Sequence, residues 1–218
     1  MSALNAFVAT DAVHVFTDSG IYNEQGEMAC LMAKVDLLAS MPGVVASTGP
    51  VDLSRSLAFV LGKENPATFG ELLSGLHGYV AAAVGILEVA KETGLETFEI
   101  IIAVYDEAED RPRLARAICM DGKVTVAESN AFRSPKLAPV DIPYYETERP
   151  RDSGLALLEA QRRALCGILA IPGSAAHVVG GCAHHTIVAK DGVTTSIIRR
   201  WGDVVGEMIE PFDVREAA

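Results

Sequence analysis

Short apolar runs alternate with longer periodic segments along this chain. Near its start, Leu4 to Val8 and Val13 to Phe16 are brief apolar runs separated by a polar turn, which predicts two neighbouring strands. Apolar residues between Phe69 and Ala90 recur mostly at steps of three and four, which predicts the longest helix. The nearly continuous apolar run from Glu99 to Tyr105 indicates a strand that is buried on both faces.

Similar patterns predict further elements on either side of these segments. In chain order they are a strand at Val44–Ser47, a helix at Leu53–Leu61 capped by Asp52, strands at Leu114–Met120 and Lys123–Ala127, a helix from Asp152–Ser153 to Leu169, and strands at Thr186–Lys190 and Val193–Ile198. The stretch from Phe132 to Arg151 contains four closely spaced prolines, so we expect it to be a loop. The resulting order is strands, two helices, strands, a helix and strands.

This order of elements favours an α+β sandwich in which two antiparallel sheets face each other and helices cover the outside. The sequence shows no internal repeat, low-complexity segment or linker, so residues 1–218 are expected to form a single domain. Half of the residues are apolar, which is enough to fill such a core without a disulfide or a structural metal ion.

Charge and cysteine content narrow the function classes. The chain has 18 Lys and Arg against 29 Asp and Glu, so its net charge of −11 argues against a nucleic-acid partner. Its four cysteines are far apart and no leader segment is evident, which favours a reduced, cytoplasmic protein. The longest uninterrupted apolar runs, such as Tyr79 to Leu87, are shorter than the roughly 20 residues of a membrane span, so no membrane partner is expected.

Polar residues recur at regular intervals in the first quarter of the chain. Asp18 lies 16 positions after Ser2, and Lys34 lies 16 positions after Asp18. A Ser47-Thr48-Gly49 turn then precedes a helix headed by Asp52. With this spacing and the order of elements, the sequence resembles the β subunits of the proteasome and the related bacterial two-component protease, which are N-terminal-nucleophile (Ntn) hydrolases.

The resemblance implies a four-layer αββα fold and a set of site residues. By resemblance, Ser2 is the nucleophile and base after removal of Met1, Asp18 and Lys34 tune it, and Thr48 or Gly49 supplies the oxyanion hole. The substrate would be a peptide or a small amide, no cofactor or metal would be required, and the chain would form a homo-oligomer.

Physical chemistry explains why such a site needs these residue types. A free α-amine titrates at about 7.7 to 8.0 and can therefore accept the hydroxyl proton of its own residue near neutral pH. A buried lysine such as Lys34 would keep that amine neutral by charge repulsion, and Asp18 would compensate the charge of the lysine. Backbone N–H groups at Thr48 and Gly49 would stabilise the developing oxyanion.

Two functions remain open at the level of sequence. The first is an amide or peptide hydrolase that forms an acyl-enzyme on Ser2. The second is a catalytically silent subunit that keeps the fold for assembly or binding. The retention of both Asp18 and Lys34 favours the first.

A histidine-rich segment near the end of the chain offers a different candidate. Cys182, His184 and His185 lie close together, with His177 upstream. Adjacent strand residues point to opposite faces, so His184 and His185 are not expected to ligate one ion, and one inward, hydrogen-bonded histidine is the favoured interpretation. The Gly180-Gly181 pair is expected to permit close approach of strands rather than phosphate binding, since no helix follows it.

Overall fold

A computed structural model describes residues 3–23, 25–91, 94–137, 145–167 and 175–212. Its three helices in these ranges are α1 (Leu53–Glu64), α2 (Phe69–Val89) and α3 (Pro150–Arg163). Its strands are β1 (Leu4–Val8), β2 (Ala12–Asp18), β3 (Gly20–Tyr22), β4 (Met28–Leu31), β5 (Val35–Leu37), β6 (Gly43–Thr48), β7 (Phe98–Asp106), β8 (Arg111–Met120), β9 (Lys123–Glu128), β10 (Ala131–Ser134), β11 (Cys166–Gly167), β12 (Ala175–Ala176), β13 (Cys182–Ala189) and β14 (Gly192–Arg200).

Two five-stranded sheets form the centre of the molecule. The first has the strand order β10-β1-β2-β13-β14 and the second the order β5-β6-β7-β8-β9. Every pairing within them is antiparallel. The pairs β3–β4 and β11–β12 form two small additional sheets. The predicted α+β sandwich of antiparallel sheets is therefore confirmed.

Alternation along the strands divides the apolar residues among the layers. In β7, Ile101 packs between the two sheets, whereas Ile100 and Ile102 pack against α1 and α2. On the other side of the first sheet, Phe16 packs with Leu157 of α3. The continuous apolar run of β7 thus reflects a strand that is covered on both faces.

The prediction of a loop from Phe132 to Arg151 is wrong at both ends. Ala131–Ser134 is an edge strand that pairs with β1, with Leu4 opposite Ser134. Helix α3 begins at Pro150, the first-turn position that proline tolerates, and Ser153 lies inside the helix rather than capping it. The helix ends at Arg163, and the predicted extension to Leu169 reaches residues outside the described ranges.

Helix capping also differs from the sequence prediction. Asp52 occupies the position before α1, but its side chain makes no capping hydrogen bond and accepts one from Arg55 instead. Thr68 caps α2, because its hydroxyl accepts a hydrogen bond from the backbone N–H of Glu71.

Helix α2 is long and apolar enough to cross a membrane by length and composition alone. An 18-residue stretch of this helix has a mean hydropathy of 1.5, and 28% of that stretch is buried. Core helices also meet this criterion, and Leu72, Leu76 and Val80 are fully buried in the core between α2 and the second sheet. The absence of a membrane partner stays a prediction.

Candidate active site

The carboxylate of Asp18 is the centre of a buried hydrogen-bond network at the end of β2. Asp18 is fully buried. Its Oδ1 accepts hydrogen bonds from the backbone N–H of Ala3 at 2.9 Å and from Lys34 Nζ at 2.6 Å. Its Oδ2 accepts from the N–H groups of Gly20 at 3.2 Å and Gly180 at 3.1 Å. Four donors thus occupy the sites that one ionised carboxylate offers, and a charge without solvent access is compensated.

Lys34 lies immediately before β5 and extends its side chain to the end of β2. Its Nζ donates to Asp18 and, at 2.7 Å, to the carbonyl oxygen of Gly20. Burial lowers the pKa of Lys34 below its usual range, and the charge and hydrogen bond of Asp18 oppose this effect. An ammonium group has three N–H donors, so one remains without an acceptor among the described residues.

The Gly180-Gly181 turn joins β13 to this network. The carbonyl oxygen of Gly180 accepts hydrogen bonds from the N–H groups of Ser19 and Gly20. Gly181 has a φ of 77°, and a Cβ at this position would lie 2.5 Å from Ser19 Oγ. The turn therefore requires glycine for a close approach, as the sequence indicated.

A second ion pair binds the same turn through the neighbouring residue Gly181. Asp203 Oδ2 accepts a hydrogen bond from the N–H of Gly181 at 2.7 Å. Arg162 of α3 binds both carboxylate oxygens of Asp203 and also donates to the carbonyl oxygen of Val179. The side chains of Arg162 and Asp203 are 5% and 4% exposed, so this pair is also buried.

Thr48 and Gly49 lie at the end of β6 and are not hydrogen-bonded to Asp18 or Lys34. Val35, the residue after Lys34, pairs with Ala46, so the end of β6 and Lys34 lie at the same end of the second sheet. Thr48 is buried, and its hydroxyl donates to Glu99 Oε2 at 3.4 Å. Gly49 has a φ of 109°. The role of both residues in an oxyanion hole stays a prediction.

Ser2, the predicted nucleophile, lies outside the described residues. Ala3 is the first residue that the structure describes, and its N–H donates to Asp18. The structure therefore brings Ala3, Asp18 and Lys34 together, while the catalytic roles of Ser2, Asp18 and Lys34 stay predictions.

Two more polar residues lie near this network, Thr17, which sequence reasoning did not select, and His184, which it considered only as a metal ligand. They are direct partners on β2 and β13, and Thr17 is also the partner of Leu4 on β1. Thr17 Oγ1 and His184 Nδ1 are buried and have no hydrogen-bond partner among the described residues. Burial lowers the pKa of His184, although the nearby Asp18 opposes this effect. The sequence signal for Thr17 was the alternation of side chains along β2, which places Thr17 on the same face of the strand as Val13 and Val15.

The two adjacent histidines have different surroundings, as the sequence predicted. His185 is buried, stacks on Phe16 at 4.4 Å and forms a 2.9 Å hydrogen bond with His14. Burial lowers the pKa of His185 to about 4, so its ring is neutral at pH 7. Within the described ranges, no group of three or more His, Cys, Asp or Glu residues is placed to hold a metal ion.

Comparison with known proteins finds similarity in structure but not in sequence. No family model matches the sequence, and no curated protein matches it either. A solved structure of Anbu, described as an ancestral beta-subunit, from Yersinia bercovieri is similar to this chain with a TM-score of 0.58. The alignment covers 91% of this chain and 88% of that chain, at 13% identity. At this identity the likeness shows the fold alone, which is an α+β sandwich.

Proposed function

We propose that this protein is an Ntn amide hydrolase in which Ser2, made N-terminal by removal of Met1, is the nucleophile. The supporting observation is the carboxylate of Asp18, which holds both the N–H of Ala3 and the ammonium group of Lys34. This arrangement anchors the chain next to position 2 at a buried ion pair. A buried ion pair beside a chain terminus is suited to tuning the pKa of an α-amine.

The proposed reaction proceeds in two steps. The α-amine of Ser2 takes the proton of the Ser2 hydroxyl as its oxygen attacks the carbonyl carbon of the amide. The C–N bond then breaks, the leaving amine takes the proton, and an ester to Ser2 remains. Water hydrolyses this ester to a carboxylic acid, with the α-amine again acting as the base.

A catalytically silent assembly or binding subunit is the second candidate. By resemblance, the active family has an Asp and a Ser ahead of the Gly-Gly pair, at the positions of Ala176 and Val179. Both residues are apolar and buried. An enzyme of this type would therefore have to hold the α-amine with other groups. Thr17 and His184 offer two buried polar atoms near Asp18 that have no partner among the described residues.

Covalent labelling separates the two candidates. Untagged protein is treated with a β-lactone, which acylates activated hydroxyl groups, and the adduct is located by peptide mass spectrometry. We expect an adduct on Ser2 that is absent from the Ser2→Ala protein. Ser74 is exposed on α2, so the Ser74→Ala protein is the control and should be labelled at the wild-type rate. Labelling that persists in Ser2→Ala, or no labelling of Ser2 at all, would overturn the hydrolase proposal.

A further inference from the structure

A cavity of about 340 Å³ lies where strand β10 meets strands β7 and β8 and helix α3. Its lining contains three cationic side chains, Arg116, Arg133 and Lys136, and one carboxylate, Glu99. The excess of cations is unusual because the whole chain has a net charge of −11. Apolar side chains such as Ile118 complete its walls.

Arg116 is the clearest sign that this cavity accepts an anion. It lies on β8 directly opposite Ile101, which packs between the sheets, so its side chain lies on the inner face. Arg116 is half-buried, yet it has no salt bridge with any carboxylate in the described part of the chain. A guanidinium group in such a place is ordinarily paired, and it binds carboxylates through two parallel hydrogen bonds.

Arg133 is the second arginine that lines this cavity. Its guanidinium group stacks over the ring of Phe7, with 5.3 Å between the guanidinium carbon and the ring centroid. The stacking on Phe7 orients the guanidinium group at the cavity wall.

The cavity adjoins both parts of the proposed active site. Glu99, which lines it, accepts the hydrogen bond from Thr48 at the end of β6. Pro135, another lining residue, follows Ser134, which pairs with Leu4 at the start of β1. A substrate with its amide near position 2 would therefore extend a neighbouring group into this cavity.

We propose that the cavity binds a carboxylate of the substrate, so that the enzyme acts on peptides or small amides with an acidic group near the scissile bond. Anion binding stands on the cavity alone, whereas its role in substrate recognition rests on the proposed function. Arg116 and Arg133 bind the carboxylate, Lys136 adds positive charge, and Glu99 repels a second anionic group.

Binding to Ser2→Ala protein tests the cavity without requiring hydrolysis. The two probes are N-acetyl-glutamate α-amide and its neutral isostere N-acetyl-glutamine α-amide, measured by isothermal titration calorimetry at low salt. We expect the glutamate compound to bind about tenfold more tightly, since one charge-assisted hydrogen-bonded contact accounts for that ratio. Added NaCl should reduce the difference because it screens partly exposed charges.

Variants then assign the preference to the cavity. Arg116→Gln and Arg133→Gln should each reduce it, and Glu99→Gln should increase the affinity for the glutamate compound. Arg55→Gln, on α1 with a side chain that is 66% exposed, is the matched control and should leave the preference unchanged. Thermal unfolding of each variant shows whether it is folded at the assay temperature.

The possible outcomes separate this inference from the proposed function. Equal binding of the two compounds, no binding of either, or a preference that survives Arg116→Gln combined with Arg133→Gln would overturn the inference. A charge preference without labelling of Ser2 would support the anion site and overturn the hydrolase. Labelling of Ser2 without a charge preference would do the reverse.

Discussion

Two buried ion pairs bind the Gly180-Gly181 turn, and they differ in the polar groups that lie near them. Asp203 binds the N–H of Gly181, and Arg162 is held by both oxygens of Asp203 and by a backbone carbonyl oxygen. Asp18 binds the N–H of Gly180, and its partner Lys34 donates to Asp18 and to the carbonyl oxygen of Gly20.

The surroundings of the two pairs sharpen this difference. The guanidinium group of Arg162 lies 4.9 Å from the ring of Trp201, whose indole N–H donates to Glu159. Around Lys34 and Asp18, by contrast, the buried polar atoms of Thr17 and His184 have no described partner. An ion pair whose polar neighbours all have partners stabilises a fold, whereas buried donors and acceptors without partners are typical of a reactive site. We therefore interpret Arg162–Asp203 as structural and Lys34–Asp18 as functional.

Removing Lys34 should have the largest effect on reactivity. Lys34→Met leaves the charge of Asp18 near the α-amine of Ser2, which raises the pKa of that amine and reduces its neutral fraction at pH 7. The rate of Ser2 acylation at pH 7 should fall by about 10² to 10⁴, the usual contribution of a base, and its midpoint should move to higher pH. The rate of β-lactone labelling between pH 6 and pH 10 measures both effects.

Lys63→Met is the control for this experiment, because Lys63 lies in the last turn of α1 over the ring of Phe59 and far along the chain from the site. It should label as the wild type does. A Lys34→Met protein that is folded by circular dichroism and labels with an unchanged pH midpoint would show that the lysine is structural.

Removing Arg162 should instead affect stability. Arg162→Met leaves Asp203 buried without its cation, and the free energy of unfolding should fall by about 3 to 5 kcal/mol in urea denaturation. The double variant Arg162→Met/Asp203→Asn removes the uncompensated charge and keeps an acceptor for Gly181, so it should recover part of that loss. A shifted pH midpoint of labelling in the folded Arg162→Met protein would contradict the assignment of this pair as structural.

Changing the shared turn should have the smallest effect. Gly181→Ala combines a positive φ with a Cβ that would meet Ser19 Oγ, and we expect it to lower the free energy of unfolding by about 3 kcal/mol. Gly206→Ala is the matched control, since Gly206 also has a positive φ but open space around its Cβ position, and it should cost about 1 kcal/mol. Equal losses would mean that the close approach at Gly181 is unimportant.

Local patterns predicted most of the fold, and they failed where distant residues decide the structure. Helix α2 was placed well because its apolar residues have a clear period, and strand β1 because its short apolar run ends at a polar turn. Strand β10 was missed because it has four residues, is followed by prolines and owes its structure to pairing with β1, more than 120 positions earlier. Helix α3 was started too late because Pro150 resembles the end of a loop as much as a first helical position.

The candidate site was predictable only in part for a similar reason. The spacing of Asp18 and Lys34 selected the pair that the structure brings together. Single-residue patterns did not show that His184 lies beside Thr17, because that contact depends on the pairing of β2 with β13. The cationic cavity was also missed, since Arg116 and Arg133 come from different sheets.

In the proposed mechanism, position 2 becomes the N-terminus beside Asp18 and Lys34. This is tested by the intact mass of protein expressed without an N-terminal tag. We expect a mass lower than that of the full sequence by one methionine residue, with the free α-amine on Ser2. A protein that retains Met1 would contradict the mechanism, because the amine of Ser2 would then be part of a peptide bond.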